Sequence, residues 1–129
     1  KIREEDEITK KKNQFDDKQS KFIVLPQKAF LQFKPINDVD TNGELVIYIL
    51  ELQVVKEHQR KGIGTKFIQL IEEIAKSAKI EKLQLTALSK KRCVLSFYKA
   101  NQFDFDKEMD PVLKFKKESS FRILSKDIN

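Results

Sequence analysis

The chain has 129 residues, of which 40% are hydrophobic, a length and composition that predict one domain with its own buried core. A single cysteine, Cys93, excludes an internal disulfide framework and a cysteine-built zinc cluster, and no apolar segment reaches the roughly 20 residues that span a bilayer. We therefore expect a soluble cytoplasmic or nuclear protein, whose net charge of +6 suits an anionic partner.

The first half of the chain predicts three strands after a polar start. Residues 1–20 predict a polar helix or tail, and residues 21–128 form the predicted core. The predicted strands are Lys21–Leu25, Lys28–Asn37 and Glu44–Val55. The Asn-Gly pair in the turn Asp40–Gly43 is a strong hairpin signal between the second and third strands. The third strand is almost continuously apolar, which indicates burial on both of its faces.

The second half of the chain predicts helices that alternate with strands. Apolar residues at helical spacing follow Gly64 and define one face of a helix, namely Phe67, Leu70, Ile71, Ile74, Ala75 and Ala78. The remaining predicted elements are a strand at Leu83–Ala87, a helix at Lys91–Asn101, a strand at Phe103–Phe105, a charged loop around Asp110, and a strand at Ser120–Ser125. This order of elements predicts an α/β (α+β) fold.

The turn between the third strand and the first helix is the most informative segment, Gln59-Arg-Lys-Gly-Ile-Gly64. Backbone N–H groups at a helix start form an anion site, and glycines let a diphosphate approach them. Residues 53–92 hold ten lysines and arginines against four acidic residues, which accounts for the whole excess charge. A nucleic-acid surface would explain this charge, but a phosphorylated cofactor needs it at this turn, and we favour the cofactor. A dinucleotide-binding fold is disfavoured because no third glycine follows.

This turn fits the pattern Gln/Arg-x-x-Gly-x-Gly/Ala and resembles the pyrophosphate loop of the GNAT acetyltransferases. Over residues 21–128 the chain is most similar to the NatD-type branch, which acetylates the N-terminal amine of the core histones that begin Ser-Gly-Arg-Gly. The segments that carry this similarity are Tyr48-Ile-Leu-Glu-Leu-Gln-Val54, Arg60–Gly64, Leu85-Thr86, Phe97–Asp104 and Phe121–Ser125. Most family members have Gly-Phe where this chain has Gln102-Phe103, a departure that the NatD branch tolerates.

The resemblance implies the GNAT fold, a mixed and mostly antiparallel sheet with helices packed on it. The family's first strand and first helix are missing from the predicted elements. The resemblance also implies acetyl-CoA as cosubstrate, no metal, and protein N-termini as acceptors, with core-histone tails as the expected partners and the ribosome as a further one. No direct role for a membrane or a nucleic acid is implied.

The site residues are implied by the same resemblance. Glu51 matches the catalytic carboxylate, and Tyr98 stands where many GNAT enzymes use a tyrosine to stabilise the departing thiolate. The expected cofactor contacts are Leu52, Gln53, Val54, Arg60, Lys61, Gly62, Ile63, Gly64, Thr65 and Lys91. The expected substrate contacts are Asp38, Tyr48, Leu50, Thr86 and Phe121. Simpler interpretations stay open, since Glu51 could be a solvated surface carboxylate and Tyr98 a packing residue.

Three departures from the NatD pattern bear on specificity. Leu50 and Phe121 replace two tyrosines that grip the substrate, and Lys91 replaces an asparagine near the cofactor arm. Asp38 and Asp40 could meet the arginine of a Ser-Gly-Arg-Gly tail, although turn capping is the simpler explanation for Asp40.

Several alternatives to this function and its catalytic base stay open. A lysine or small-amine acetyltransferase of the same fold is one, and a non-catalytic GNAT-like or basic binding module is another. His58 is a second candidate for the base, although a surface histidine is the commoner role at such a turn.

Overall fold

The computed structural model describes residues 20–128, so the predicted polar helix or tail lies, apart from Ser20, outside the described residues. The strands are β1 (Lys21–Leu25), β2 (Ala29–Ile36), β3 (Val46–Val54), β4 (Lys82–Leu88), β5 (Asp104–Phe105) and β6 (Phe121–Asp127). The α-helices are α1 (Ile63–Ser77), α2 (Arg92–Ala100) and α3 (Pro111–Phe115), and short 3₁₀ turns lie at Val39–Thr41 and Lys56–His58. No helix in this part of the chain is long and apolar enough to cross a bilayer.

The six strands form one sheet in the order β1-β2-β3-β4-β6-β5. All neighbouring pairs are antiparallel except β3 and β4, which run parallel because α1 connects them as a crossover helix. The mixed, mostly antiparallel sheet with helices packed on it confirms the predicted fold class.

A β-bulge at Leu50 divides β3 into two halves. Phe33 pairs with Ile49 and Gln32 pairs with Glu51, so Leu50 is the extra residue on β3. Because the bulge shifts the alternation of side chains by one position, the core face of β3 changes from Ile47 and Ile49 to Leu52 and Val54. The prediction of burial on both faces is wrong for the second half, since Leu50 is 41% exposed.

The hydrophobic core lies between the sheet and the two longer helices. The apolar face of α1 buries Phe67, Ile68, Ile71 and Ala75, and α2 contributes Tyr98. The sheet contributes the residues that face these helices, among them Leu31, Phe33, Ile49, Leu83, Leu85 and Leu124. The core therefore fixes the start of α1 and of α2 beside the middle of the sheet.

The connection between β2 and β3 differs from the predicted hairpin. Asn42 and Gly43 have φ values of 55° and 78°, and the N–H of Glu44 donates to the carbonyl of Thr41 at 3.0 Å, as in a type I′ turn. The local turn is therefore present. The strands, however, end at Ile36 and begin again at Val46, so the turn belongs to a longer connection with its own 3₁₀ turn.

The predicted charged loop before β6 contains the short helix α3. Asp110 is its N-cap and accepts a hydrogen bond from the N–H of Leu113 at 3.2 Å, and Pro111 occupies the first helical position. The fully buried Asp110 also pairs with Arg122, whose Nη2 lies 2.8 Å from Oδ2, and accepts from the N–H of Ile123. One carboxylate thus fastens α3 to β6.

Replacing Asp110 with asparagine is expected to lower the free energy of unfolding at pH 7 by about 3 kcal/mol, because Arg122 would lose its buried partner. Burial disfavours the charged carboxylate, but the bonds from Arg122, Ile123 and Leu113 outweigh it and hold the pKa of Asp110 below its ordinary value. The contribution to stability is therefore present at neutral pH and is lost as the pH falls through this lowered pKa. Urea unfolding at pH 7 and pH 3 measures it, and an equal loss at both would contradict the assignment.

Candidate active site

The sheet opens in its middle, where β3 and β4 separate. They pair only from Ile47 with Leu83 to Ile49 with Leu85, whereas β3 pairs with β2 as far as Val54. Among the strands that the structure describes, none pairs with residues 50–54 on the β4 side. An unpaired strand edge offers backbone N–H and C=O groups to an extended ligand.

A pocket occupies the space where these two strands diverge and reaches the start of α2. It is lined by Ile49, Leu50, Glu51, Leu52, Leu85, Thr86, Ala87, Leu88, Lys91, Val94 and Tyr98. The structure therefore brings both predicted catalytic residues to one cavity. Lys91, the exposed N-cap residue of α2, lies on its rim.

Glu51 owes its position to the bulge at Leu50. The shift in alternation turns Glu51 and Gln53 to the face of the sheet opposite α1, and Glu51 is half-buried there. Gln53 Nε2 donates a hydrogen bond to Glu51 Oε2 at 2.5 Å. The predicted base thus has a defined neighbour within its own strand.

Tyr98 lies on the helix side of the pocket and is 6% exposed. Its ring packs edge-on against Phe97 and Phe103, with centroid distances of 5.0 and 5.2 Å. Burial raises the pKa of Tyr98 above its usual range, so the hydroxyl group keeps its proton at any physiological pH. The side chain therefore packs the core and also forms part of the cavity wall.

The predicted substrate residues divide into two groups. The hydroxyl groups of Tyr48 and Thr86 hydrogen-bond to each other across β3 and β4. Leu50 and Phe121 are 41% and 38% exposed. Leu50 and Thr86 line the pocket, and Tyr48 and Phe121 lie next to pocket residues on the same face, away from α1, because Phe121 pairs with Leu88.

Asp38 is not brought to this pocket. It follows β2 beyond Ile36, the residue that pairs with Val46 at the start of β3, whereas the pocket lies at the far half of β3. The Asp38 carbonyl accepts from the N–H of Thr41 and of Gly43, so its backbone belongs to the turn. The side chain of Asp40 lies outside the described residues.

The predicted pyrophosphate loop connects the open end of β3 to α1. Gln59 Nε2 donates to the carbonyl of Val54 at 2.9 Å, which ties the loop to the strand. Arg60 and Lys61 are exposed, and Gly62 is the N-cap of α1 with φ of 81° and no side-chain cap. The first intrahelical bond runs from Lys66 N–H to the Gly62 carbonyl at 3.0 Å. The preceding N–H groups, those of Ile63, Gly64 and Thr65, therefore have no intrahelical acceptor.

The two glycines of the loop serve different purposes. A Cβ at Gly62 would meet no atom within 4 Å, so this position needs glycine for its positive φ. A Cβ at Gly64 would lie 2.7 Å from Cζ of Phe97, so this position needs glycine because the Phe97 ring of α2 packs against the first turn of α1. The sequence pattern assigned both glycines to diphosphate access, and the structure adds helix packing for Gly64.

The pocket also contains residues that no sequence motif predicted. Leu88 and Val94 line the pocket, although neither belongs to the motif segments. The alternation of side chains along β4 after Thr86 could have predicted that Leu88 faces the pocket. The place of Val94 in the pocket could not be predicted, because it depends on how α2 packs against the sheet.

The alternative base His58 lies in the 3₁₀ turn Lys56–His58 and does not line the pocket. Residues 20–128 contain no cluster of three histidine, cysteine or acidic side chains that could hold a metal.

The opening between β3 and β4 leads from Glu51 to a helix start with free backbone N–H groups. Such an arrangement suits an extended ligand that carries a phosphate at one end and has its other end near a carboxylate. The chain belongs to the Acetyltransferase (GNAT) family, whose family model matches residues 2–103. The family predicted from the glycine loop is thereby confirmed, whereas the NatD branch stays a prediction.

Solved structures share this fold at low sequence identity. PaiA N-acetyltransferase from Thermoplasma acidophilum in complex with coenzyme A matches with a TM-score of 0.66 and 19% identity, over 95% of this chain and 70% of that one. The ribosomal-protein-S18-alanine N-acetyltransferase of Escherichia coli matches at 0.66 and 12%, over 93% and 76%. Arabidopsis thaliana Naa50 in complex with the bisubstrate analogue CoA-Ac-MVNAL matches at 0.58 and 16%, over 77% of this chain and 64% of that one. The chain thus spans less than two thirds of Naa50.

Proposed function

We propose that the protein transfers an acetyl group from acetyl-CoA to the N-terminal α-amine of a protein. The observation that carries this proposal is the opening between β3 and β4, which has Glu51 and Tyr98 on its walls and the glycine loop at its end. Membership of the GNAT family supports acetyl transfer. Two structural relatives, one named a ribosomal-protein-S18-alanine N-acetyltransferase and one bound to the bisubstrate analogue CoA-Ac-MVNAL, support a protein acceptor.

The groups along this opening fit acetyl-CoA in charge and shape. The unpaired edge of residues 50–54 offers amide groups to the pantetheine arm, which is itself an extended chain of amides. The N–H groups at the start of α1 would hold the pyrophosphate, and Arg60 and Lys61 would add positive charge. Bound acetyl-CoA supplies the activated thioester.

Glu51 and Tyr98 have complementary roles in this reaction. Glu51 would accept a proton from the acceptor amine, directly or through a water molecule. An α-amine has a pKa of about 7.7–8.0 against about 10.4 for lysine, so an N-terminal acceptor gives up its proton to this base more easily than a lysine does. A phenol is a weaker acid than a thiol, whose pKa is about 8.5, so the Tyr98 hydroxyl would donate a hydrogen bond to the departing sulfur while it keeps its own proton.

The acceptor would enter on the face that carries Tyr48, Thr86, Leu50 and Phe121. We propose histone-like tails that begin Ser-Gly-Arg-Gly as the acceptors, on the strength of the NatD-like segments and the Tyr48–Thr86 pair. Such substrates fit a cytoplasmic or nuclear protein that meets nascent chains near the ribosome. A lysine or small-amine acetyltransferase is the second candidate, favoured by the exposed apolar side chains where NatD enzymes have tyrosines.

Incubation with acetyl-CoA and a peptide that begins Ser-Gly-Arg-Gly and carries an internal lysine tests this function. Mass spectrometry of the product locates the acetyl group. We expect it on the α-amine, and acetylation of the internal lysine alone would favour the second candidate.

Substitution of tyrosine for both Leu50 and Phe121 is expected to sharpen the preference for serine. Apolar side chains discriminate weakly, whereas a site that hydrogen-bonds its substrate rejects analogues without the matching group. The ratio of kcat/KM for Ser-Gly-Arg-Gly over Ala-Gly-Arg-Gly peptides should rise roughly three- to tenfold, the value of one neutral hydrogen bond. Leu113→Tyr changes another exposed leucine away from the pocket and should leave the ratio as it is. An unchanged ratio in the double variant would remove the two positions from the acceptor site.

A further inference from the structure

We propose that the side chain of Gln53 is a positioning residue, which holds the Glu51 carboxylate in the orientation that receives the proton of the acceptor amine. This inference rests on the proposed function. The Gln53 amide donates to Glu51 Oε2 at 2.5 Å. The family resemblance gives Gln53 only a backbone contact with the cofactor, so a role for its side chain goes beyond that resemblance.

The bulge at Leu50 is what brings the two side chains together. Without it, alternation would place residues 51 and 53 on the core face of β3, with Ile47 and Ile49. With it, Glu51 and Gln53 stand next to each other on the acceptor face. This face also carries the hydroxyl pair of Tyr48 and Thr86.

Two buried residues of β2 lie beside Glu51 and Gln53 on the same face of the sheet. Gln32 is the cross-strand neighbour of Glu51, and Phe30 is the neighbour of Gln53. Phe30 and Gln32 are 7% and 5% exposed, so neither has room to move aside. The side chain of Gln53 is itself exposed, and it reaches the carboxylate along its own strand through the hydrogen bond to Glu51.

A fixed carboxylate matters because Glu51 is only half-buried. Holding a glutamate side chain in one rotamer costs up to about 2 kcal/mol of conformational entropy. The bond from Gln53 fixes one carboxylate oxygen before the acceptor arrives. A general base needs this geometry first, because proton transfer occurs only within hydrogen-bond reach of the amine.

Two substitutions of Gln53 separate positioning from packing. Gln53→Leu keeps a similar volume and removes the donor, and we expect kcat to fall about tenfold, the lower end for a hydrogen bond to a charged group. KM for acetyl-CoA and for the peptide should stay unchanged. Gln53→Glu keeps the shape but repels the carboxylate, so its kcat should fall further. If Gln53 only packed against its neighbours, Gln53→Glu would keep a higher kcat than Gln53→Leu. That result would overturn the proposal.

The matched control is Gln69→Leu, the same change at an exposed position of α1 outside the pocket, which should leave kcat unchanged. In the Glu51→Gln background, Gln53→Leu should have no further effect, because it acts only through Glu51. A tenfold loss that persists in this background, or a raised KM for acetyl-CoA, would overturn the inference. Wild-type protein without any transferase activity would instead defeat the proposed function.

Discussion

Replacing Glu51 with glutamine is expected to lower kcat at neutral pH by roughly 10²–10⁴-fold, the range that a positioned general base contributes. The amide keeps the shape of the side chain and can still accept the hydrogen bond from Gln53, but it cannot take a proton. The affinity for acetyl-CoA should change little, because the proposed cofactor contacts come from the backbone edge of β3 and from the glycine loop. Steady-state kinetics together with acetyl-CoA titration by calorimetry separate the two quantities.

Glu81→Gln is the matched control for this change, since Glu81 is exposed before β4 and lies outside the pocket. Its kcat should equal that of the wild type. A Glu51→Gln variant of near wild-type rate would move the proton-accepting role to His58 or to solvent. A variant that loses acetyl-CoA binding as well would show that Glu51 supports the cofactor site instead.

The local patterns of the sequence predicted most of the fold. Helix periodicity located α1 and α2 to within about two residues, because a 3.6-residue apolar repeat needs no knowledge of the partner surface. The glycine loop was located from its own six-residue motif, and its role in binding the cofactor stays a prediction. The signal for α3 was also present, since Asp110 and Pro111 form an N-cap and first-turn pair, but the charged residues that follow favoured a loop.

The features that shape the site depend on contacts between distant residues. The bulge at Leu50 exists only in the register of β3 against β2, and a continuous apolar run cannot reveal which residue will be extra. The Tyr48–Thr86 bond requires the parallel pairing of β3 with β4, which α1 imposes. The need for glycine at Gly64 follows from the position of Phe97 on another helix.

Gly62 carries the prediction with the largest expected effect on cofactor binding. Its φ of 81° orients the first turn of α1, and a side chain there would meet open space. Gly62→Val therefore introduces backbone strain without a steric clash, and a β-branched residue tolerates this conformation least. Relief of the strain would rotate the peptide groups at the helix start away from the proposed pyrophosphate position.

The strain of a non-glycine residue in this region is worth about 1–3 kcal/mol, so the dissociation constant of acetyl-CoA should rise by up to roughly 100-fold in Gly62→Val. Gly62→Ala should have a smaller effect in the same direction. Calorimetric titration with acetyl-CoA gives both values, and the far-ultraviolet circular dichroism of both variants should match the wild type because the core is unchanged.

Gly43 offers an unusually close control for this experiment. It has a φ of 78°, a Cβ there would also meet nothing within 4 Å, and it lies in the turn before β3, outside the pocket. Gly43→Val should therefore lower the free energy of unfolding about as much as Gly62→Val does, and it should leave the affinity for acetyl-CoA unchanged. If Gly62→Val and Gly43→Val bind acetyl-CoA equally well, the glycine loop does not hold the cofactor, and the acetyltransferase proposal loses its structural support.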